Sequence, residues 1–117
     1  LAPSAELVRI CLDNKIAKPE EEEKAQAAGA QVPGGHCEPA LTGDHSCMRA
    51  TDCRLCPFFR IHISKRELFV RDMEDALEKA QHLQSEQGLI RDAQNLREFA
   101  GLNQAIIDRI DEHLAGR

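Results

Sequence analysis

Four of the five cysteines lie close together in the middle of the chain, and thiolates can bind a metal ion or undergo redox chemistry. They are Cys37, Cys47, Cys53 and Cys56, in the pattern C-x9-C-x5-C-x2-C. The last pair is typical of a knuckle, in which two thiolates bind one metal and backbone N–H groups donate hydrogen bonds to sulfur. Four protein ligands leave no open position, so the spacing predicts a structural rather than a catalytic zinc site.

Other ligands and other chemistries compete with this assignment. His36 and His45 lie beside or near the first two cysteines and are alternative ligands. An iron–sulfur cluster is another alternative, because a Cys-Pro ending such as Cys56-Pro57 occurs in ferredoxin sequences, although their cysteines are more tightly spaced. A thioredoxin-like redox pair requires a strand before the first cysteine and a helix starting from it, and the sequence predicts neither. The wide first gap favours zinc.

The cysteine count also bears on the compartment. Five is an odd number, which fits poorly with a complete disulfide framework. The first residues show no basic leader before an apolar run, and no stretch approaches membrane-spanning length. We therefore expect a cytoplasmic protein with no membrane partner, in which clustered thiols bind metal rather than form disulfides.

The charge is unevenly distributed along the chain. The net charge is −5, but residues 45–71 contain six basic and two acidic residues, so this segment carries +4 and the remainder −9. A basic patch of this kind predicts contacts with DNA phosphates, and a solvated face without a ligand is the alternative. The basic residues of the predicted DNA contact are Arg49, Arg54, Arg60, Lys65, Arg66 and Arg71.

Two N-terminal segments precede the most regular part of the chain. Residues 1–31 are predicted to hold a short helix over 4–17, with Cys11 on its apolar face, and then an acidic helix or mobile linker from Pro19 to Gly29. Residues 32–62 are predicted to be an irregular, cysteine-rich zinc-binding loop. Glycines and prolines interrupt any periodicity there, and so long an irregular stretch needs something to organise it.

Residues 63–117 are predicted to form an antiparallel helical hairpin. Ser64–Glu67 reads S-K-R-E, a capping box that would start the first helix, and Gly88 would end it. Seam residues then recur at alternating steps of four and three. They are Phe69, Met73, Ala76, Ala80 and Leu83, then Leu89, Ala93, Leu96, Ala100, Asn103, Ile107, Ile110 and Leu114. The expected fold class is mostly α, with an N-terminal helix or helices, an irregular zinc-knuckle loop and a C-terminal hairpin.

The cysteine-rich segment and the hairpin together resemble the cysteine-rich C-terminal region of transposon- and phage-type tyrosine recombinases (integrases). In that region a Gly-x-Cys leads to a spaced cysteine, a Cys-x-x-Cys-Pro-x-Phe knuckle and a hairpin with an asparagine-leucine element and a late isoleucine pair. The matching pieces are Gly35-His36-Cys37, Cys47, Cys53-Arg54-Leu55-Cys56-Pro57-Phe58-Phe59, Asn103 and Ile106-Ile107. The resemblance runs from Val32 to the end, about three quarters of the chain.

The resemblance implies a segment that follows a DNA strand-exchange domain in a protein of DNA recombination, integration or transposition. It does not imply catalysis by this chain, because such recombinases cut DNA with a tyrosine and this chain contains none. The expected function is a non-catalytic, zinc-stabilised accessory module that contacts DNA or neighbouring protomers. The alternative is a zinc-stapled protein-interaction or oligomerisation module without DNA binding. No small-molecule substrate is expected, and His62, His82 and His113 are expected at surface or cap positions.

The first testable prediction concerns the metal. Elemental analysis of the purified chain should find about one zinc per molecule, because four thiolates complete a tetrahedral zinc shell. Cys56→Ser should lower the zinc content, whereas Cys11→Ser, outside the cluster, should leave it unchanged. Iron with a visible absorption band, or no metal at all, would contradict the zinc assignment.

Overall fold

The computed structural model describes residues 15–41, 53–56 and 58–116, which form a mostly helical protein with a small sheet. The helices are α1 (Pro19–Ala28), α2 (Glu38–Leu41), α3 (Arg66–Gln87) and α4 (Ile90–Ala115). The strands are β1 (Lys15–Ile16), β2 (Gln31–Val32), β3 (Gly35–Cys37) and β4 (Phe59–Ile61). Short 3₁₀ turns, Cys53–Leu55 and Ile63–Lys65, precede β4 and α3 respectively.

Helices α3 and α4 form the predicted hairpin, joined at Gly88 and Leu89. Gly88 has a φ of 66°, and its N–H donates to the carbonyl of Leu83, so the glycine ends α3 as predicted. The predicted seam is largely buried, although Leu89 and Leu114 at its ends are exposed. The buried seam residues are Phe69, Ala76, Ala80, Ala93, Ala100, Asn103, Ile107 and Ile110.

The start of α3 differs from the prediction. Ser64 lies within a 3₁₀ turn, and the residue before the helix is Lys65, whose side chain makes no capping hydrogen bond. The Ser64 hydroxyl instead donates to a carboxylate oxygen of Glu22 at 2.5 Å. The predicted capping box at Ser64–Glu67 is therefore wrong, because a tertiary contact to α1 uses the hydroxyl.

The segment predicted to be an irregular loop contributes to a four-stranded sheet in the order β1-β4-β3-β2. Strand β1 is parallel to β4, while β3 is antiparallel to both β4 and β2. Strands of two or three residues are too short to show an alternation of apolar and polar residues, so the sequence pattern did not predict them. The predicted helix over 4–17 is also wrong at its end, since Lys15–Ile16 is a strand; residues 1–14, including Cys11, lie outside the described residues.

The acidic segment is a helix rather than a linker. Pro19 occupies the first helical position, and Gly29 has a φ of 68°, so both ends of α1 are as predicted. The helix buries Ala25 against Ala30 and Ala40, a small group that we term the alanine cluster.

The main core lies between the sheet and the hairpin. Strand β4 contributes Phe59 and Ile61, and the hairpin contributes the remaining buried side chains. Those are Phe69, Leu102, Ile106, Ile107 and Ile110. The sheet therefore packs on the hairpin through apolar residues whose burial is the main favourable term in folding.

Gly35 generates the second testable prediction. A Cβ at this position would lie 1.9 Å from the backbone oxygen of Arg60, so Gly35→Ala must separate β3 from β4. We expect a loss of about 3 kcal/mol in the free energy of unfolding, measured with urea. Gly29→Ala is the control, because nothing lies within 4 Å of its Cβ and only the left-handed backbone costs about 1 kcal/mol. Equal losses in the two variants would contradict the close approach.

Candidate functional site

The Cys53–Cys56 pair forms a tight turn immediately before β4. Cys53 begins a 3₁₀ turn, and the N–H of Cys56 donates to its carbonyl at 3.0 Å. The carbonyl of Cys56 then accepts from the N–H of Phe59 at 3.0 Å, which leads the chain into the strand. Cys37 ends β3 and is the cross-strand partner of Phe59. Backbone hydrogen bonds thus place Cys37 and the Cys53–Cys56 turn in neighbouring parts of the fold.

The three described cysteines, Cys37, Cys53 and Cys56, are half-buried. Cys53 and Cys56 pack against the main core, whereas Cys37 packs against the alanine cluster. Within residues 15–41, 53–56 and 58–116, no three His, Cys, Asp or Glu residues are placed to hold a metal ion. Cys47 and the alternative ligand His45 lie outside these residues, so the four-cysteine zinc site stays a prediction.

His36 belongs to a buried pair of histidines. Its Nδ1 lies 2.6 Å from Nε2 of His62, and both side chains are almost fully buried. Neighbouring residues of a strand point to opposite faces, so His36 and Cys37 diverge. The structure therefore places His36 in the histidine pair rather than beside the cysteine it adjoins in sequence. His62 is the residue before the 3₁₀ turn Ile63–Lys65, so the expected cap position is confirmed, but its side chain is buried in this pair and not at the surface.

Acidic side chains of α1 lie beside the histidine pair. Nδ1 of His62 is 3.9 Å from a carboxylate oxygen of Glu22. Burial lowers the pKa of both His36 and His62 from the ordinary 6.5, while Glu21 and Glu22 act in the opposite direction on each ring. Both rings are therefore held neutral below the pH at which an ordinary histidine becomes charged.

Arg54, predicted to contact DNA, is instead enclosed by the hairpin and is 8% exposed. One guanidinium nitrogen donates to a carboxylate oxygen of Asp72 at 2.6 Å, and the other donates to Oδ1 of Asn103. The guanidinium carbon also lies 4.7 Å from the centre of the Phe69 ring and 5.5 Å from that of Phe99. The guanidinium of Arg54 thus faces protein groups, not solvent.

Two further arginines of the predicted basic patch are paired with acidic residues. Arg60 is 9% exposed, and it donates to Glu38 and to the backbone carbonyl of Phe59. Arg66 forms a two-pronged pair with Asp111, with nitrogen–oxygen distances of 2.8 and 3.0 Å. Lys65 and Arg71 are exposed, and Arg49 lies outside the described residues.

Sequence reasoning missed the two buried polar clusters, His36–His62 and Arg54–Asp72–Asn103. The members of each are far apart in the sequence, so no local spacing marks them. One signal was visible, because Asn103 interrupts an apolar seam, and buried polar groups need partners.

Comparison of the chain with protein-family models, with curated proteins and with solved structures finds no match. Among the helices of the described residues, none combines the length and the apolar character needed to cross a membrane.

The third prediction concerns pH. Because the folded pKa values of His36 and His62 are lowered, the unfolded chain binds more protons below about pH 6.5, so the free energy of unfolding should fall as pH decreases through that value. Urea unfolding at a series of pH values measures this slope. His62→Gln should reduce the slope, whereas His82→Gln, at an exposed position, should leave it unchanged. Identical slopes in the parent and His62→Gln would contradict the assignment.

Proposed function

We propose that this chain is a non-catalytic accessory module of a DNA recombinase, stabilised by zinc, that acts by contacting neighbouring protomers. The resemblance in the cysteine-rich segment and hairpin supports the recombinase context. With no tyrosine in the chain, the proposal assigns strand cleavage to another part of the parent protein. Zinc, bound through the four cysteines, would hold together a segment whose strands are only two or three residues long.

The observation that favours protein contact over DNA contact is the pairing of the arginines. Arg54, Arg60 and Arg66 each lie against a carboxylate of the chain itself. A phosphate would have to compete with these carboxylates, and for Arg54 it would also have to reach a buried group. The sequence-level excess of positive charge is therefore much smaller at the surface than the count of residues suggests.

The turn of the hairpin offers an apolar contact surface. Leu89 is 41% exposed and the adjacent Ile90 is 63% exposed, the largest value among the exposed large apolar side chains of the described residues. Two neighbouring large apolar residues at an exposed turn favour burial against another protein. A second protomer is the proposed occupant, because recombinases of the resembled type would place copies of this module close together.

DNA binding is the second candidate function, and the exposure of Lys65 and Arg71 favours it. These two exposed side chains are accessible to phosphates. Such contacts would give affinity that depends on salt and not on DNA sequence.

The fourth prediction tests protomer contact. Sedimentation of the isolated chain should show association that increases with protein concentration, and Ile90→Asp should weaken it by placing a charge in the apolar contact. Leu114→Asp is the matched control, since Leu114 is exposed at the opposite end of α4. A substitution at Ile107 would not serve this test, because Ile107 is buried in the main core and its replacement would affect folding.

A monomer at every concentration, or equal weakening by both variants, would contradict protomer contact through the turn.

A salt titration with short duplex DNA tests the second candidate function, DNA binding. If DNA binding is the function, the chain binds at low salt. Replacing Lys65 and Arg71 with alanine then flattens the log–log salt slope by about one unit for each phosphate that is no longer neutralised. The zinc content should stay the same in that double variant.

A further inference from the structure

We propose that Arg54 is a positioning residue that couples the Cys53–Cys56 turn to the packing of the hairpin. Opening of the turn at the two thiols and loosening of α4 around Asn103 would then promote each other. This coupling goes beyond the proposed function and holds whether the hairpin contacts a protomer or DNA.

The coupling begins with where Arg54 lies in the chain. It follows Cys53 directly, inside the 3₁₀ turn that carries the first thiol of the pair. Its two terminal guanidinium nitrogens bind acceptors on different helices, Asp72 on α3 and Asn103 on α4. A planar guanidinium has its donors in a rigid fork, so two such acceptors fix both its position and its orientation.

The surroundings of the guanidinium make partial detachment unfavourable. Arg54 lies over the rings of Phe69 and Phe99 and is almost completely buried, and Asn103 is 0% exposed. A buried charge that is separated from one partner is left uncompensated, which costs more than the partner bond itself contributes. Arg54 is therefore expected either to keep all of these contacts or to lose them together, and the turn moves with it.

Asn103 extends the cluster into the backbone of α4. Its Nδ2 donates to the carbonyl of Phe99 at 2.9 Å, which leaves Oδ1 to accept from Arg54. The amide orientation is thus set from both sides. Release of Arg54 would leave a buried amide oxygen without this donor, in the part of α4 that contributes Leu102 and Ile106 to the core.

The reactivity of the Cys53 and Cys56 thiols is a measure of whether the Arg54 cluster is intact. Cys53 and Cys56 are half-buried and pack against the main core, so a reagent reaches sulfur more easily when the turn opens. Because coupling between two sites is reciprocal, loosening the hairpin should expose the thiols, and modifying the thiols should loosen the hairpin.

The fifth prediction uses alkylation of the intact chain by N-ethylmaleimide, with the rate at each cysteine measured by peptide mass spectrometry. Asp72→Asn and Asn103→Ala change only the hairpin, yet each should accelerate alkylation of Cys53 and Cys56 by about tenfold. In the reverse direction, Arg54→Lys, which lacks the fork, should speed amide hydrogen exchange around Asn103 with both thiols unmodified.

Asp111→Asn is the matched control. It removes the carboxylate of a second, more exposed arginine–aspartate pair, Arg66–Asp111, which joins the two hairpin helices and involves no residue of the cysteine turn, so it should not change the rates at Cys53 and Cys56. The coupling would be overturned if Asp72→Asn had no effect on the alkylation rates of Cys53 and Cys56, or if Asp111→Asn accelerated them to the same extent. Asp72 is partly exposed, so Asp72→Asn decides the question if Asn103→Ala does not fold.

Discussion

Strand β4 is three residues long, and the connection between the sheet and the hairpin depends on the alternation of its side chains. Phe59 and Ile61 enter the main core, while Arg60 and then His62 lie on the other side. The backbone of the same residues pairs with β1 on one edge and β3 on the other. A shift of one residue in register would exchange the two faces and place a charge in the core. The close approach of Gly35 to Arg60 opposes such a shift, because only a residue without Cβ fits there.

The charged side chains near the cysteines form ion pairs within the chain. Arginines that lie near the cysteines in sequence bind carboxylates from other elements: Arg54 binds Asp72, and Arg60 binds Glu38. These pairs attach the cysteine turn to the hairpin and β4 to α2. Counting charges along residues 45–71 includes these arginines but not their acidic partners, Asp72 and Glu38, which lie outside that segment. The net charges alone, −5 for the chain and +4 for residues 45–71, therefore do not show that these arginines are used in contacts within the chain.

Several described residues that carry the resemblance to recombinase C-terminal regions have definite places in this fold. Gly35 permits the β3–β4 approach, Asn103 binds Arg54, and Ile106 and Ile107 lie in the main core. Each therefore has a packing or hydrogen-bonding role, which supports the proposal of a structural module. The contact surface that the proposal needs lies elsewhere, at the exposed turn formed by Leu89 and Ile90.

The sequence by itself determined the hairpin, because two long helices repeat their apolar residues often enough for the period to be read and glycine marks the turn. It also determined both ends of α1 through Pro19 and Gly29. Tertiary structure alone decided the sheet, the absence of the Ser64 cap and the pairing of His36 with His62. The physical reason is range: a helix is stabilised by neighbours three and four residues away, whereas a short strand or a buried polar group is satisfied by partners far along the chain, whose identity no local pattern contains.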